Sequence, residues 1–390
     1  MNNKIKILFY NGSLRMGGIE RVLTEVLQNI DREKMKIDLV IEDGIKSLNV
    51  FEKDIPKDIK LYYLKPEEII KKTDFYRQNR KNPFYKIMYN LMMAYEGYVK
   101  KENLKKIVKD KHYDVVIDFD MGLSKQIDLI NAKKKIAWVH SSIEKWYVKD
   151  SRIKRLGERL KKYNKIVTIC DAMKESTEKL YPFLKNKMIR IYNPFNFERI
   201  IEHSKEKVDE NLKEYYEKDF IVSVMRLTEN SKDFDTLISG FKLAKENKIK
   251  EKLYILGEGS DRDKIEEKIK KEGMENEIIL LGNVKNPYPW IKKAKILVHS
   301  SRFDGLPTVL LEGLILDKIV ISSDCPTGPK EILENGEIGY LYNVGDYRKL
   351  GELIVKNLEN SDIDLDLVKE RILKYSKDVV IKEYEKIILG

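Results

Sequence analysis

Residues 4–30, KIKILFYNGSLRMGGIERVLTEVLQNI, set how the rest of the chain is read. Ile5, Ile7, Leu8 and Phe9 make an apolar run of strand length, and Gly12 to Gly18 read as a loop. Ile19, Val22, Leu23, Val26, Leu27 and Ile30 then recur at helical spacing and give one apolar face. The same unit repeats down the chain. IDLVIED, YDVVIDFD, KKIAWVH, KIVTIC and MIRIYN read as strands between helical segments, which predicts a parallel sheet covered by helices. After IYNPFNFERI the alternation restarts, with FIVSVMRL, KLYILGEG, EIILLGNV, AKILVHSS, IVISSD and IGYLYNV as strands. The fold class expected is α/β: two Rossmann-like doubly wound domains facing a central cleft. The expected boundaries are 1–195 and 196–375, followed by a terminal helix at 376–390 that docks back on the first domain. Residues 70–110 read as a long, basic, aromatic-rich helical region.

A chain of 390 residues exceeds one ordinary core, so two domains fit its length. Two cysteines make no disulfide framework, and no apolar run is long enough to span a bilayer. Both point to a cytoplasmic protein. The net charge of +11 calls for a nucleic acid, an anionic membrane face or a phosphorylated small molecule as partner, unless the scattered lysines only solvate the surface. No binding module or aromatic–basic interleaving for nucleic acid is present, so no nucleic-acid partner is expected.

In doubly wound sheets, ligands bind outside the carboxyl ends of the strands. Four features fall there. Gly17-Gly18 opens the first helix, where bare backbone N–H groups suit a phosphate; a simple tight turn would look the same. Arg226 and Lys232 follow FIVSVMRL and suit a diphosphate. Gly257, Glu258 and Gly259 follow the next strand. Asp304, Gly305, Leu306 and Pro307 precede a helix that carries Glu312 inside an otherwise apolar run. A carboxylate in such a run needs a partner.

Together these segments resemble the GT-B glycosyltransferases of family 4, the retaining enzymes of glycosyl transferases group 1. The likeness rests on the acid-x7-acid motif Asp304-GLPTVLL-Glu312 preceded by LVHSSRF. It rests also on GGIER at 17–21, Arg226 with Lys232, LGEG at 256–259, LLGNV at 280–284 and GPKEIL at 328–333. The resemblance implies transfer of a hexose or N-acetylhexosamine from a nucleotide sugar, a UDP-sugar being favoured. The acceptor would be a glycan or a lipid-linked glycan in cell-surface polysaccharide biosynthesis. It also assigns roles. Glu312 would hold the ribose hydroxyls, and Asp304, where most of the family has Glu, the transferred sugar. Arg226 and Lys232, helped by the Gly17 and Gly18 amides, would neutralise the leaving diphosphate. Gly257, Glu258, Val284, Gly305, Leu306 and Glu331 would line the nucleotide, and His140 would lie near the sugar. No cofactor is implied and no metal is expected. Asp118-Phe119-Asp120 has the D-x-D form of a metal site, but three-residue patterns arise by chance and a metal wants further ligands.

Residues 150–165 place Ile153, Leu156, Leu160 and Tyr163 on one helical face. Arg152, Lys154, Arg155, Arg159, Lys161, Lys162 and Lys165 surround it. Such a helix suits peripheral contact with an anionic membrane on the cytoplasmic face of the inner membrane; a helix packed on its own domain has the same pattern. Two other functions share the architecture: a nucleotide-sugar epimerase and a non-catalytic partner of a glycosyltransferase. The second would be expected to have lost the donor-site charges, and they are present.

Overall fold

A computed structural model describes residues 4–146 and 149–390. It contains two compact units, Met1–Phe195 with Lys377–Gly390, and Asn196–Ser376. The first is built on a parallel sheet of β1 (Ile5–Asn11), β2 (Met35–Gly44), β3 (Lys60–Pro66), β4 (Tyr113–Asp118), β5 (Ala132–Val139), β6 (Lys165–Thr168) and β7 (Met188–Arg190). The strand order is β3-β2-β1-β4-β5-β6-β7. In central β1, Ile7 pairs with Ile37 and Val115, and Ile7, Leu8, Phe9 and Tyr10 are all fully buried. Helices cover both faces, which explains a continuous rather than alternating apolar run. The strand β3 is absent from the sequence reading. It lies at the sheet edge, half-buried, and its Lys60 and Lys65 break the apolar signal.

The basic stretch after β3 is two helices, Glu67–Gln78 and Pro83–Val108. Pro83 opens the second, where its missing N–H costs nothing, and the Asn82 side chain accepts from Phe84 N at 2.9 Å. The terminal helix, Lys377–Leu389, packs on this unit: Tyr384 stacks on Trp138 at 4.8 Å and Asp31 N donates to Glu385 Oε1 at 2.8 Å. The helix Asp150–Leu160 buries Leu156, Gly157 and Leu160. The Tyr181 hydroxyl donates to Ile153 O at 2.7 Å, so this helix spends its apolar face on its own unit. Of the two readings of this helix, packing on its own domain is the one its buried residues fit.

The second unit has β8 (Phe220–Val224), β9 (Lys252–Leu256), β10 (Ile278–Gly282), β11 (Ile296–His299), β12 (Ile319–Ser323) and β13 (Tyr340–Tyr342), all parallel. Their order is β10-β9-β8-β11-β12-β13. The chain winds outward from β8 to one edge, then returns through β11 to the other. The crevice between the carboxyl ends of β8 and β11 is therefore the topological switch point. Beneath it Ile221, Leu237, Phe241, Leu253, Ile255 and Val298 form a dry core. Each such side chain contributes roughly 1.5–3 kcal/mol by leaving water.

Candidate functional site

The loops leaving β8 and β11 are stitched together by small hydroxyls. Asp233 N donates to Ser300 O at 3.1 Å, and Ser300 Oγ donates back to Asp233 O at 2.9 Å. Ser301 Oγ donates to Ser231 O at 2.8 Å. From the end of β12, Ser323 Oγ accepts from Ser301 N at 2.9 Å and donates to Ser301 O at 2.7 Å. These serines are fully buried, and their hydroxyls satisfy backbone groups that have left the sheet ladder.

The stitching brings Lys232 and Asp304 face to face. Lys232 Nζ lies 2.5 Å from Asp304 Oδ2, and His299 Nε2 lies 3.0 Å from the same oxygen. Burial pushes the Asp304 carboxyl up, but the His299 hydrogen bond and the Lys232 charge outweigh it and hold the group well below the usual carboxylate range. Burial lowers the pKa of His299, leaving it neutral, and its contact with a carboxylate assigns the proton to Nε2. The other ring nitrogen, Nδ1, is buried with no hydrogen-bond partner.

The peptide of Asp304 is bridged to Thr327, whose hydroxyl donates to Asp304 O. Thr327 sits at φ +88°, a left-handed conformation that a β-branched residue rarely adopts. Beside it Gly328 touches the loop so closely that a Cβ would lie 2.4 Å from Gly305 O. Gly305, Leu306 and Pro307 are thereby fixed ahead of the helix Thr308–Ile315. In that helix Val309, Leu310, Leu311, Gly313, Leu314 and Ile315 are buried, whereas Thr308 is exposed and Glu312 half-buried. The two are one turn apart, on the face the helix leaves uncovered. Glu331 is half-buried in the short helix Gly328–Ile332.

On the β9 side, Gly257 has φ +142°, and a Cβ there would lie 2.0 Å from Met225 O. Leu227 N donates to Glu258 O at 3.0 Å, so the LGEG loop runs flush against Met225–Leu227. Arg226 is exposed, Glu258 pairs with Arg262 at 2.8 Å, and Val284 is half-buried just past β10. The two cations assigned to the diphosphate thus differ: Lys232 is held by Asp304, and Arg226 faces solvent.

His140 and the Gly17–Gly18 turn belong to the other unit. A Cβ on Gly17 would lie 2.2 Å from Glu20 Oε2, and Ser13 Oγ donates to Glu20 Oε1 at 2.6 Å. The Glu20 carboxylate therefore sits where the sequence reading put an anion. His140, just past β5, packs its ring 4.6 Å from that of Phe119 and bonds the Phe119 backbone. Its Nε2 is buried and unpartnered, and burial lowers its pKa to about 3. At neutral pH its ring is therefore uncharged. Asp118 and Asp120 are structural anchors. Asp118 accepts from the Tyr163 hydroxyl at 2.5 Å and Leu123 N at 3.1 Å; Asp120 accepts from Gly12 N at 2.7 Å and Gly122 N at 2.9 Å. Burial, then the Asp120 charge, raise the Asp118 carboxyl to about 7.

The sequence reading missed His299 and Thr327. His299 had one visible signal, a titratable residue ending the apolar run ILVH. The left-handed Thr327 had none.

Two doubly wound parallel sheets, of seven and six strands, with charged loops at a switch point define the GT-B class of glycosyltransferase. The sequence agrees: residues 204–374 match the pattern of glycosyl transferases group 1, and the chain is a glycosyltransferase. It is 28% identical over 346 residues to an uncharacterized glycosyltransferase of Methanocaldococcus jannaschii, covering 83% of this chain and 82% of that one. It is 29% identical over 174 residues to an N-acetylgalactosaminyltransferase of Campylobacter jejuni that acts on a diphospho-undecaprenol glycan, covering 44% and 47%. Among solved structures, Anabaena HepE with UDP and glucose superposes at a TM-score of 0.72 with 15% identity, over 98% of this chain and 99% of that one.

Proposed function

We propose that the second unit binds a UDP-sugar and that the enzyme transfers its hexose or N-acetylhexosamine, with retention, to a glycan or lipid-linked acceptor in cell-surface polysaccharide assembly. The observation that carries this reading is the Lys232–Asp304–His299 cluster at the switch point of the second sheet. The UDP held by HepE and the lipid-linked acceptor of the Campylobacter relative support the two substrate classes.

Glu312, on the uncovered face of its helix, accepts hydrogen bonds from the ribose hydroxyls. Arg226 binds the diphosphate from solvent, and Lys232 supplies the second charge. Asp304 keeps Lys232 in place. Because both of its contacts use Oδ2, Oδ1 remains for a hydroxyl of the transferred sugar. The bond from the anomeric carbon to the diphosphate oxygen breaks, and the acceptor oxygen bonds that carbon on the same face. The acceptor proton passes to the departing phosphate oxygen. Arg226 and Lys232 stabilise the charge that develops there, which is where fixed cations lower a barrier most. No carboxylate acts as a nucleophile, unlike in retaining hydrolases.

A panel of UDP-hexoses and UDP-N-acetylhexosamines with a glycan acceptor, read by the anomeric proton of the product, tests this. An α-linked product from an α-linked donor is expected; a β-linked product overturns retention.

A further inference from the structure

The helix Pro83–Val108 leaves an apolar stripe in water. Its buried side carries Glu96, Lys100, Leu104 and Val108. Glu96 is bound by Lys65 at 3.0 Å, and Lys100 Nζ donates to the Tyr10 hydroxyl at 2.9 Å and to Gly122 O at 3.0 Å. The opposite side holds Phe84, Ile87, Leu91, Tyr95 and Tyr98, each 49–63% exposed. Their spacings of three, four, four and three residues align them in one stripe. A surface helix of a globular unit turns its apolar stripe inward and its charges outward. This one satisfies two charges, Glu96 and Lys100, inside the unit, keeps Lys86, Lys101, Lys105 and Lys106 at the surface, and leaves its apolar stripe in water.

The turn joining it to the helix Glu67–Gln78 strengthens the pattern. Phe75, Tyr76, Phe84 and Tyr85 form an aromatic cluster with ring centroids 5.5–6.1 Å apart, and Phe75 and Phe84 are exposed. From residue 75 to 95 the sequence holds Arg77, Arg80, Lys81 and Lys86 and no acid at all. Aromatic rings with cations around them fit the headgroup level of a bilayer, where ring bodies enter the acyl boundary and cations meet lipid phosphates. A second copy of the chain is a poor occupant, because it would set this basic tip against itself. Among the described residues no helix is long and apolar enough to cross a membrane, so the contact is interfacial.

We propose that the hairpin of residues 67–108 is the element by which this protein docks on an anionic lipid bilayer, with the Phe84–Ile87–Leu91–Tyr95–Tyr98 stripe lying in the interface and Arg80, Lys81 and Lys86 on the headgroups. This does not rest on the donor or acceptor chemistry proposed above, and its test reads no turnover.

The full chain is floated with vesicles of phosphatidylcholine alone and of phosphatidylcholine containing one third phosphatidylglycerol. Light scattering reports its oligomeric state without lipid. Wild type is expected to float only with the anionic vesicles. Arg80→Gln/Lys81→Gln/Lys86→Gln is expected to lose roughly a hundredfold in partition, each interfacial cation being worth about a fivefold factor. Phe84→Ser/Ile87→Ser/Leu91→Ser is expected to lose at least about tenfold, since the buried apolar area sets the rest of the binding. Equal flotation with both vesicle types, none with either, or variants that bind like wild type would overturn the proposal. So would a dimer that the serine variant dissolves into monomers, which would make the stripe a contact between copies.

Discussion

Replacing Asp304 by Asn removes the negative charge paired with Lys232. The side chains of Lys232 and Asp304 are 12% and 26% exposed, and His299 beneath them is buried. Breaking a fully buried pair costs about 3–5 kcal/mol, because a charge is left without its partner. The partial exposure of Asp304 lets water repay some of this, so about 2–3 kcal/mol is expected for Asp304→Asn. A double-mutant cycle with Lys232→Met isolates the pair. We expect a coupling energy of about 1.5–3 kcal/mol by chemical denaturation, against less than about 1 kcal/mol for an exposed surface pair. The sign of the pH dependence is fixed by the depressed carboxyl of Asp304. Its contribution is fully present above the ordinary carboxylate range, near pH 4, and is lost as pH falls through the lower folded value. The coupling should hold steady from pH 8 to 5 and shrink below pH 4. A coupling under about 0.5 kcal/mol at neutral pH, or one that grows on acidification, would show that the pair is not held as an ion pair.

Gly257→Ala places a Cβ against Met225 O at a positive φ, and is expected to lower the Tm by roughly 5 °C or more, about 2 kcal/mol at the scale of a domain this size; an unchanged melting curve would contradict the close approach. Asp118 is a buried carboxyl raised to about 7, so its contribution is present in acid and lost as pH rises through that value. Asp118→Asn keeps an acceptor for the Tyr163 hydroxyl and carries no charge, and should be more stable than wild type by about 1–3 kcal/mol at pH 8. At pH 5 it should show no such advantage. Equal gains at both pH values would mean that packing, not ionisation, is responsible.

The strands beside the site were legible because parallel strands buried on both faces read as unbroken apolar runs, as in ILLG before Val284 or ILVH before Ser300. Edge strand β3 was not, since half of its residues meet water and lysines interrupt it. The loops that carry Arg226, Lys232, Gly257 and Asp304 could be placed by the rule that ligand-side loops follow strands. What the sequence hid was pairing in space. Lys232 and Asp304 are far apart in sequence and read as two independent charges, yet they form one ion pair. His299 looked like the end of a strand until its ring met Asp304 Oδ2. Glu312 was conspicuous because a carboxylate in VLLEGLI has to be explained. The exposed side of Pro83–Val108 escaped notice for the opposite reason: a helix apolar on several sides shows no clean periodicity, and only the packed structure reveals which side is covered.

The donor site proposed above holds its nucleotide through Glu312. Titration calorimetry of the full chain with UDP, GDP and ADP, repeated on Glu312→Ala, tests it most directly. Selective binding of UDP is expected, weakened by at least about tenfold in the variant, since hydrogen bonds to a charged acceptor are worth about 1.5–3 kcal/mol each. Binding of UDP that is undiminished in Glu312→Ala, or no binding of any of the three, would contradict it.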